Sequence, residues 1–215
     1  MPSTKIVLAG ASGAIGQQLL QQLLLQPNQG QLQAWTRQSL PVSSQLTQLP
    51  LGADFASADV AICTLGTTIA QAGSQQAFQA IDLDLVVAFA KAAHQAGCRR
   101  FIVVSSLGAD ASSRNFYLRV KGQMEQAIAA LGFDAVHLVR PSLLTGATRR
   151  DVRLGEQFSI GLSRLFRPLI PIRWRPVDVG IVGSFLLSLA KTDTIGVFVH
   201  ENWEIHHHHA ASSPH

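Results

Sequence analysis

The residues Gly10-Ala-Ser-Gly13-Ala-Ile-Gly16 follow a strand-like run, Ile6 to Ala9, and open a stretch from about Gln17 to Leu25 whose leucines fall at helical spacing. A strand that must turn straight into a helix restricts the folds open to a chain. Glycines permit the tight turn and let a ligand approach the backbone, while the first helical turn leaves its amides without partners. Those amides and the helix dipole favour an anion. Strand, glycine loop and helix in this order therefore predict the pyrophosphate site of a dinucleotide-binding unit.

The alternation continues downstream. Gln31 to Thr36 and Val60 to Thr64 read as strands, with a short, weakly structured passage between them. Ala77 to Ala96 reads as a long helix ended by Gly97, Phe101 to Ser105 as a buried strand, Arg114 to Leu131 as a helix and Ala135 to Val139 as a strand. Apolar runs alternating with helical patterns predict parallel strands joined by crossover helices. The expected architecture is one α/β domain over residues 1–205, a doubly wound parallel sheet of the Rossmann type. Residues 141–176 interrupt the rhythm with prolines at 141, 168, 171 and 176 and glycines at 146, 155 and 161. This excursion is read as a small C-terminal substrate lid, because ligands of such sheets sit beyond the carboxyl ends of the strands. An apolar helix resumes over Val177 to Ala190, with Asp178 placed to cap it.

Composition limits what such a domain meets. Only 14% of the residues are charged and 47% are apolar, which excludes a disordered or fibrous chain. Cys63 and Cys98 have no metal-ligand spacing to any histidine, so neither a disulfide framework nor a zinc site is expected. The chain starts almost directly in a strand, leaving no room for a leader, and has no apolar run long enough to span a bilayer. A soluble, cytoplasmic protein is expected, monomer or homodimer. The tail 206–215, beginning with His206 to His209, is read as disordered or as a tag remnant, without a metal role. Arg149, Arg150, Arg153, Arg164, Arg167, Arg173 and Arg175 crowd the excursion against Asp151 and Glu156. They are read first as the rim of an anion-binding cleft, ahead of a membrane-facing amphipathic segment, with nucleic acid last for want of a recognition motif.

Tyr117, the only tyrosine, stands one helical turn before Lys121, one of four lysines. A surface pair of modest worth has the same spacing. Downstream of a dinucleotide turn, a phenol beside an ammonium instead predicts proton transfer at a nicotinamide. At the end of the second strand stand Thr36 and Arg37, with no carboxylate before Asp54. An acidic residue there holds the ribose of NAD, whereas an arginine suits the extra phosphate of NADP. NADP is favoured over NAD, with Thr36 and Arg37 as its readers; the alternative is that Arg37 is a solvated loop charge.

The glycine spacing, Val103-Val104-Ser105-Ser106, Tyr117-Leu-Arg-Val-Lys121-Gly122, Cys63-Thr-Leu-Gly66-Thr67-Thr68 and Arg140-Pro141-Ser142 resemble the short-chain dehydrogenase/reductase superfamily. The nearest branch is the atypical one that includes the Tat-interacting protein oxidoreductases, and the likeness runs to about residue 190. The resemblance implies that Gly10, Ser12, Gly13, Ala14, Ile15 and Gly16 form the phosphate turn and that Leu65, Gly66 and Thr67 pass under the adenine and ribose. It also implies that Ser105 or Ser106 holds the substrate oxygen, that Tyr117 is the acid/base and that Lys121 bridges the nicotinamide ribose. Arg140, Pro141 and Ser142 then flank the nicotinamide.

These assignments make an NADP-dependent oxidoreductase acting on a small carbonyl or alcohol the first expectation. A non-catalytic NADP(H)-binding redox sensor or protein-interaction module is the second, since atypical members are often regulatory. An epimerase or dehydratase with a retained cofactor is the third.

Overall fold

The computed structural model describes residues 4–26, 30–146 and 171–212. Seven strands form one parallel sheet: β1 (Ile6–Ala9), β2 (Leu32–Trp35), β3 (Leu46–Leu49), β4 (Val60–Cys63), β5 (Arg100–Val104), β6 (Ala135–Arg140) and β9 (Gly196–Glu201). Their spatial order is β3-β2-β1-β4-β5-β6-β9, so the chain winds outward from β1 in one direction, returns to β4 and winds outward in the other. The switch point between β1 and β4 is where a doubly wound sheet opens a crevice. β1, β2 and β4 are buried at every residue, which is why β1 and β4 read as unbroken apolar runs rather than alternating ones; in β2 the buried Gln33 amide bonds to the Ala56 backbone.

Each face of the sheet has its own core. Helices α1 (Ala14–Leu24) and α6 (Val179–Leu189) cover one face, bringing Leu19, Leu23, Val182 and Leu186 onto Ile6, Leu8, Ile62 and Ile102. Asp178 caps α6 as expected, accepting from the Gly180 amide at 2.8 Å. The other face carries α4 (Val86–Gln95) and α5 (Phe116–Ala129), where Phe89, Met124 and Ile128 bury Val7, Ala61, Phe101 and Val103. No described helix is long and apolar enough to cross a membrane.

The departures from expectation are local. β3 forms within the passage read as weakly structured; its Leu-Thr-Gln-Leu segment is an edge strand, only half-buried, and so lacks the apolar run that marks the central ones. The long helix expected over 77–96 is three segments in succession: α3 (Gln75–Gln79), a π-helical turn (Ala80–Leu85) and α4. A short α2 (Ile69–Ala72) precedes them.

Residues 206–212, read from the sequence as disordered or as a tag remnant, are ordered and continue α7 (Asn202–Ser212). Asn202 and Ile205, one helical turn apart, are fully buried and fasten this helix to the body of the domain. The histidine run masks that anchor in the sequence. Asn202 also joins the two ends of the excursion: its Oδ1 accepts from the Ser142 amide at 3.0 Å, and its Nδ2 donates to the carbonyls of Ile172 and Arg175 at 3.1 and 2.9 Å. Two-residue strands β7 (Leu144–Thr145) and β8 (Val177–Asp178) pair there in parallel. Most of the expected lid, residues 147–170, lies outside the described residues, with Arg149, Arg150, Arg153, Arg164 and Arg167.

Candidate functional site

A cleft opens at the carboxyl ends of β1, β4 and β5, between the glycine turn and α5. Gly10 has φ +85°, and a Cβ there would fall 2.6 Å from the Leu65 backbone nitrogen. The Thr64 hydroxyl draws the two loops together, donating to the carbonyls of Ala9 and Gly10 at 3.0 and 3.1 Å. A Cβ on Gly16 would stand 2.0 Å from the Gly10 carbonyl oxygen, so this glycine lets the turn close on the first helical residues. Gly13 differs from both, since its Cβ would meet only that carbonyl oxygen, at 3.4 Å. It lines the cleft with Ala14 and Ile15. No side chain caps α1 and no acidic residue stands in its first turn, which leaves the amides there to the cleft. The arrangement fits a dinucleotide pyrophosphate.

Across the cleft stand Leu65, Gly66 and Thr67 after β4, Ser105 after β5, and Tyr117 and Lys121 of α5. Asn115 starts α5 by accepting from the Leu118 amide at 3.2 Å. Gly122 sets how closely the helix approaches the loop that follows the serines, because a Cβ there would lie 2.1 Å from the Ala111 nitrogen. Of the two serines, Ser105 faces the cleft. Its hydroxyl is buried and has no hydrogen-bond partner among the described residues. The Ser106 hydroxyl turns to the Leu107 carbonyl at 3.5 Å.

Sequence reasoning missed Asp82, which lies in the π-helical turn and is wholly buried. Its Oδ1 is 2.7 Å from Lys121 Nζ, and its Oδ2 accepts from the Thr67 amide at 2.8 Å. Burial alone would depress the Lys121 ammonium; the Asp82 carboxylate, with smaller help from Tyr117 and Cys63, outweighs burial and leaves its pKa raised. Cys63, buried beneath, has its thiol pushed up to about 12 by desolvation. A sequence signal for Asp82 existed: it falls four residues after Phe78 and four before Val86, on the helix's buried stripe.

Other candidates do not meet in the cleft. Arg140 points away from it, donating through Nε and Nη2 to the Glu125 carboxylate at 2.9 and 2.6 Å and through Nη1 to Glu201 at 3.1 Å. Its role beside the nicotinamide gives way to an ion-pair cluster that ties β6 to α5 and β9. The Pro141 carbonyl accepts from the Leu107 amide, and the Ser142 hydroxyl donates to the Arg175 carbonyl, so both serve the base of the excursion. The carbonyl of Ser12 accepts from the Gln17 side chain at 2.8 Å. Thr36 and Arg37 follow β2 at the same end of the sheet; the Thr36 hydroxyl closes a turn onto Gln38 at 2.8 Å, while Arg37 is exposed.

Comparison with known proteins agrees with this geometry. A family model described as NAD(P)H-binding matches residues 10–161. The chain is 32% identical over 224 residues to Protein HTATIP2 of Rattus norvegicus, covering 96% of this chain and 90% of that one. It is 28% identical over 198 residues to the mitochondrial Protein FMP52 of Candida albicans, covering 86% of each. The human epimerase family protein SDR39U1, solved with NADPH, shares the fold at a TM-score of 0.65 and 16% identity, over 93% of this chain and 77% of that one. The chain belongs to the NAD(P)H-binding family, within the atypical short-chain dehydrogenase/reductase group that includes HTATIP2 and FMP52.

Proposed function

We propose that the protein is an NADP-dependent oxidoreductase that moves a hydride to or from a small carbonyl or alcohol, acting as a monomer or homodimer. The observation that carries this reading is the Ser105 hydroxyl, buried without a partner on the cleft wall that also bears Tyr117 and Lys121. A buried hydroxyl left unpaired costs about 1–3 kcal/mol, a cost that a ligand oxygen would relieve. A bound nicotinamide would supply the hydride. Ser105 then holds the reacting oxygen, Tyr117 exchanges a proton with it, and Lys121 holds the ribose and keeps positive charge near the phenol. Gly13, Ala14 and Ile15 receive the pyrophosphate on the amides of α1.

NADP rather than NAD is supported by Arg37, an exposed guanidinium just beyond β2 with no carboxylate before Asp54. Titration with NADPH and NADH, followed by cofactor fluorescence, tests this. The expected result is a preference for NADPH that falls tenfold or more in Arg37→Ala. Binding of neither nucleotide would sink the reading. Turnover of a carbonyl panel, lost in Tyr117→Phe, then establishes the chemistry.

The Asp82 pairing favours a second reading, a redox sensor that binds cofactor without turnover, because Lys121 is already engaged. Tight binding with no turnover across the panel would select it. Two free, buried cysteines suit a reducing compartment, which we take to be the cytoplasm. The Candida relative is mitochondrial by name, and cell fractionation separates the two locations.

A further inference from the structure

We propose that β9 is the interface of a homodimer, pairing antiparallel with β9 of a second copy so that two seven-stranded sheets run on as one. The inference selects the homodimer from the two states left open above, and it stands whether or not the cleft performs redox chemistry.

The two edges of the sheet are unlike. β3 exposes no large apolar side chain, and Pro50, which has no amide to donate, follows it directly. β9 keeps unbroken register with β6 from Gly196 to Glu201, without a proline, a lysine or a bulge to protect it. No strand among the described residues pairs with its outer edge. Gly196 donates its amide inward to the Asp134 carbonyl at 2.8 Å, and amides alternate along a strand, so those of Val197 and Val199 point outward. The side chains of these two valines are 52% and 42% exposed. They share a face with Glu201, which is drawn to Arg140 at 3.1 Å; Phe198 and His200 turn to the other face, where His200 meets Phe185.

A second copy fits this edge because the strand is its own complement. Val197-Phe198-Val199 reads the same in both directions. A two-fold axis at Phe198 sets Val197 of each copy opposite Val199 of the other, and such a pair in an antiparallel ladder exchanges both of its backbone hydrogen bonds. The strand's polar side chains are already engaged and do not oppose the pairing: Glu201 by Arg140, and His200 by His137 and Glu204 at 3.0 and 3.1 Å. Ile195 and Trp203, 82% and 46% exposed, extend the apolar patch beyond the two ends of the strand. With the valines they offer on the order of 400 Å² of side chain per copy, so a pair with its strand backbone reaches the roughly 1,000 Å² that a specific interface needs. The pair is closed and leaves no such edge for a third copy. β6 separates β9 from the strands that open the cleft, so both copies keep their nucleotide sites.

Sedimentation velocity of the full chain from about 1 to about 100 µM reads the state directly. The expected result is twice the chain mass at the upper end, and single-chain mass throughout in Val199→Lys. Val197→Lys and Val199→Glu placed together in one chain set opposite charges face to face at both valine pairs and restore the doubled mass. Single-chain mass of the unaltered protein at every concentration overturns the proposal and leaves the edge to another segment of this chain or to a foreign strand. So does a dimer that persists in folded Val199→Lys, or a double variant that stays single. Hydrogen exchange at the upper concentration needs no variant to fold: the Val197 and Val199 amides should exchange about as slowly as those of Gly196 and Phe198, which face β6, and exchange at least about tenfold faster overturns the interface. Failure of either nucleotide to bind would overturn the oxidoreductase reading and leave the sedimentation result standing, so the two failures are distinct.

Discussion

Acid should destabilise this protein through His137 as the pH falls below 6.5. The imidazole sits on β6 at 2% exposure, stacked on Phe198 with centroids 5.3 Å apart. Its Nδ1 is 3.0 Å from His200 Nε2, and its Nε2 is 3.4 Å from the Thr194 hydroxyl. Burial, then the neighbouring His200 and the Arg100 charge, lower its pKa from 6.5 to about 4. Above pH 6.5 neither folded nor unfolded chain carries a proton there. Between 6.5 and about 4 the unfolded chain binds one and the folded chain does not, so stability falls as pH falls through that window. At ~1.36 kcal/mol per pH unit the full window is worth about 3 kcal/mol, of which about 2 is lost between pH 7 and pH 5. Urea unfolding at pH 7, 6 and 5 measures it, with His137→Gln as the comparison because glutamine keeps a polar group and titrates nothing. The variant is less stable at pH 7, where it loses the ring contacts, but its stability falls less steeply by the same ~2 kcal/mol. Equal slopes in the two proteins would refute the assignment to His137.

Gly16→Ala should cost about 1–3 kcal/mol, since its Cβ would stand 2.0 Å from the Gly10 carbonyl oxygen and backbone must shift. Gly13→Ala should stay within about 1 kcal/mol of the parent in a urea melt yet weaken nucleotide binding at least tenfold, because the new methyl enters the cleft. Arg140→Ala should lower stability by about 3–5 kcal/mol, leaving Glu125 buried without its partner, while the folded fraction binds nucleotide as the parent does; a loss of affinity there would return Arg140 to the cleft. Cys63 and Cys98, both raised to about 12 chiefly by burial, should resist a dithionitrobenzoate assay at pH 8 and react once urea unfolds the chain; prompt labelling of the native protein would contradict their burial.

What could be read from the sequence is what local geometry alone enforces. Gly10 and Gly16 have no freedom to be anything larger, since each would place a Cβ less than 3 Å from backbone, and the turn is therefore visible in the residue types. The central strands are legible for the same reason, being buried on both faces. β3 and β9 are edge strands, and partly exposed edges carry no continuous apolar run; β9 leaves Val197 and Val199 open to solvent. Asn202 was illegible because its three hydrogen bonds reach residues 27 to 60 positions away.

Charge partners were harder to see, and α5 shows why. Val120, Lys121, Met124, Glu125 and Ile128 are all buried on that helix. Lys121 and Glu125 are four apart and opposite in sign, the spacing of an ordinary surface pair. Burial breaks the pairing: Lys121 joins Asp82 and Glu125 joins Arg140, each at 2.7 Å or less. One charge serves the cleft and the other serves the sheet, although the sequence places them on the same stripe. The serine ambiguity, in contrast, could have been settled by parity. Ser105 continues the alternation of Phe101 and Val103, whose side chains pack toward α4 and α5, and its amide extends the ladder to the Val139 carbonyl at 2.7 Å. A residue of that parity faces the helix that carries Tyr117, and Ser106 faces away. The same reasoning on α3 and α4 would have put Asp82 among the aromatic core residues and required a counter-charge for it, which the buried Lys121 supplies.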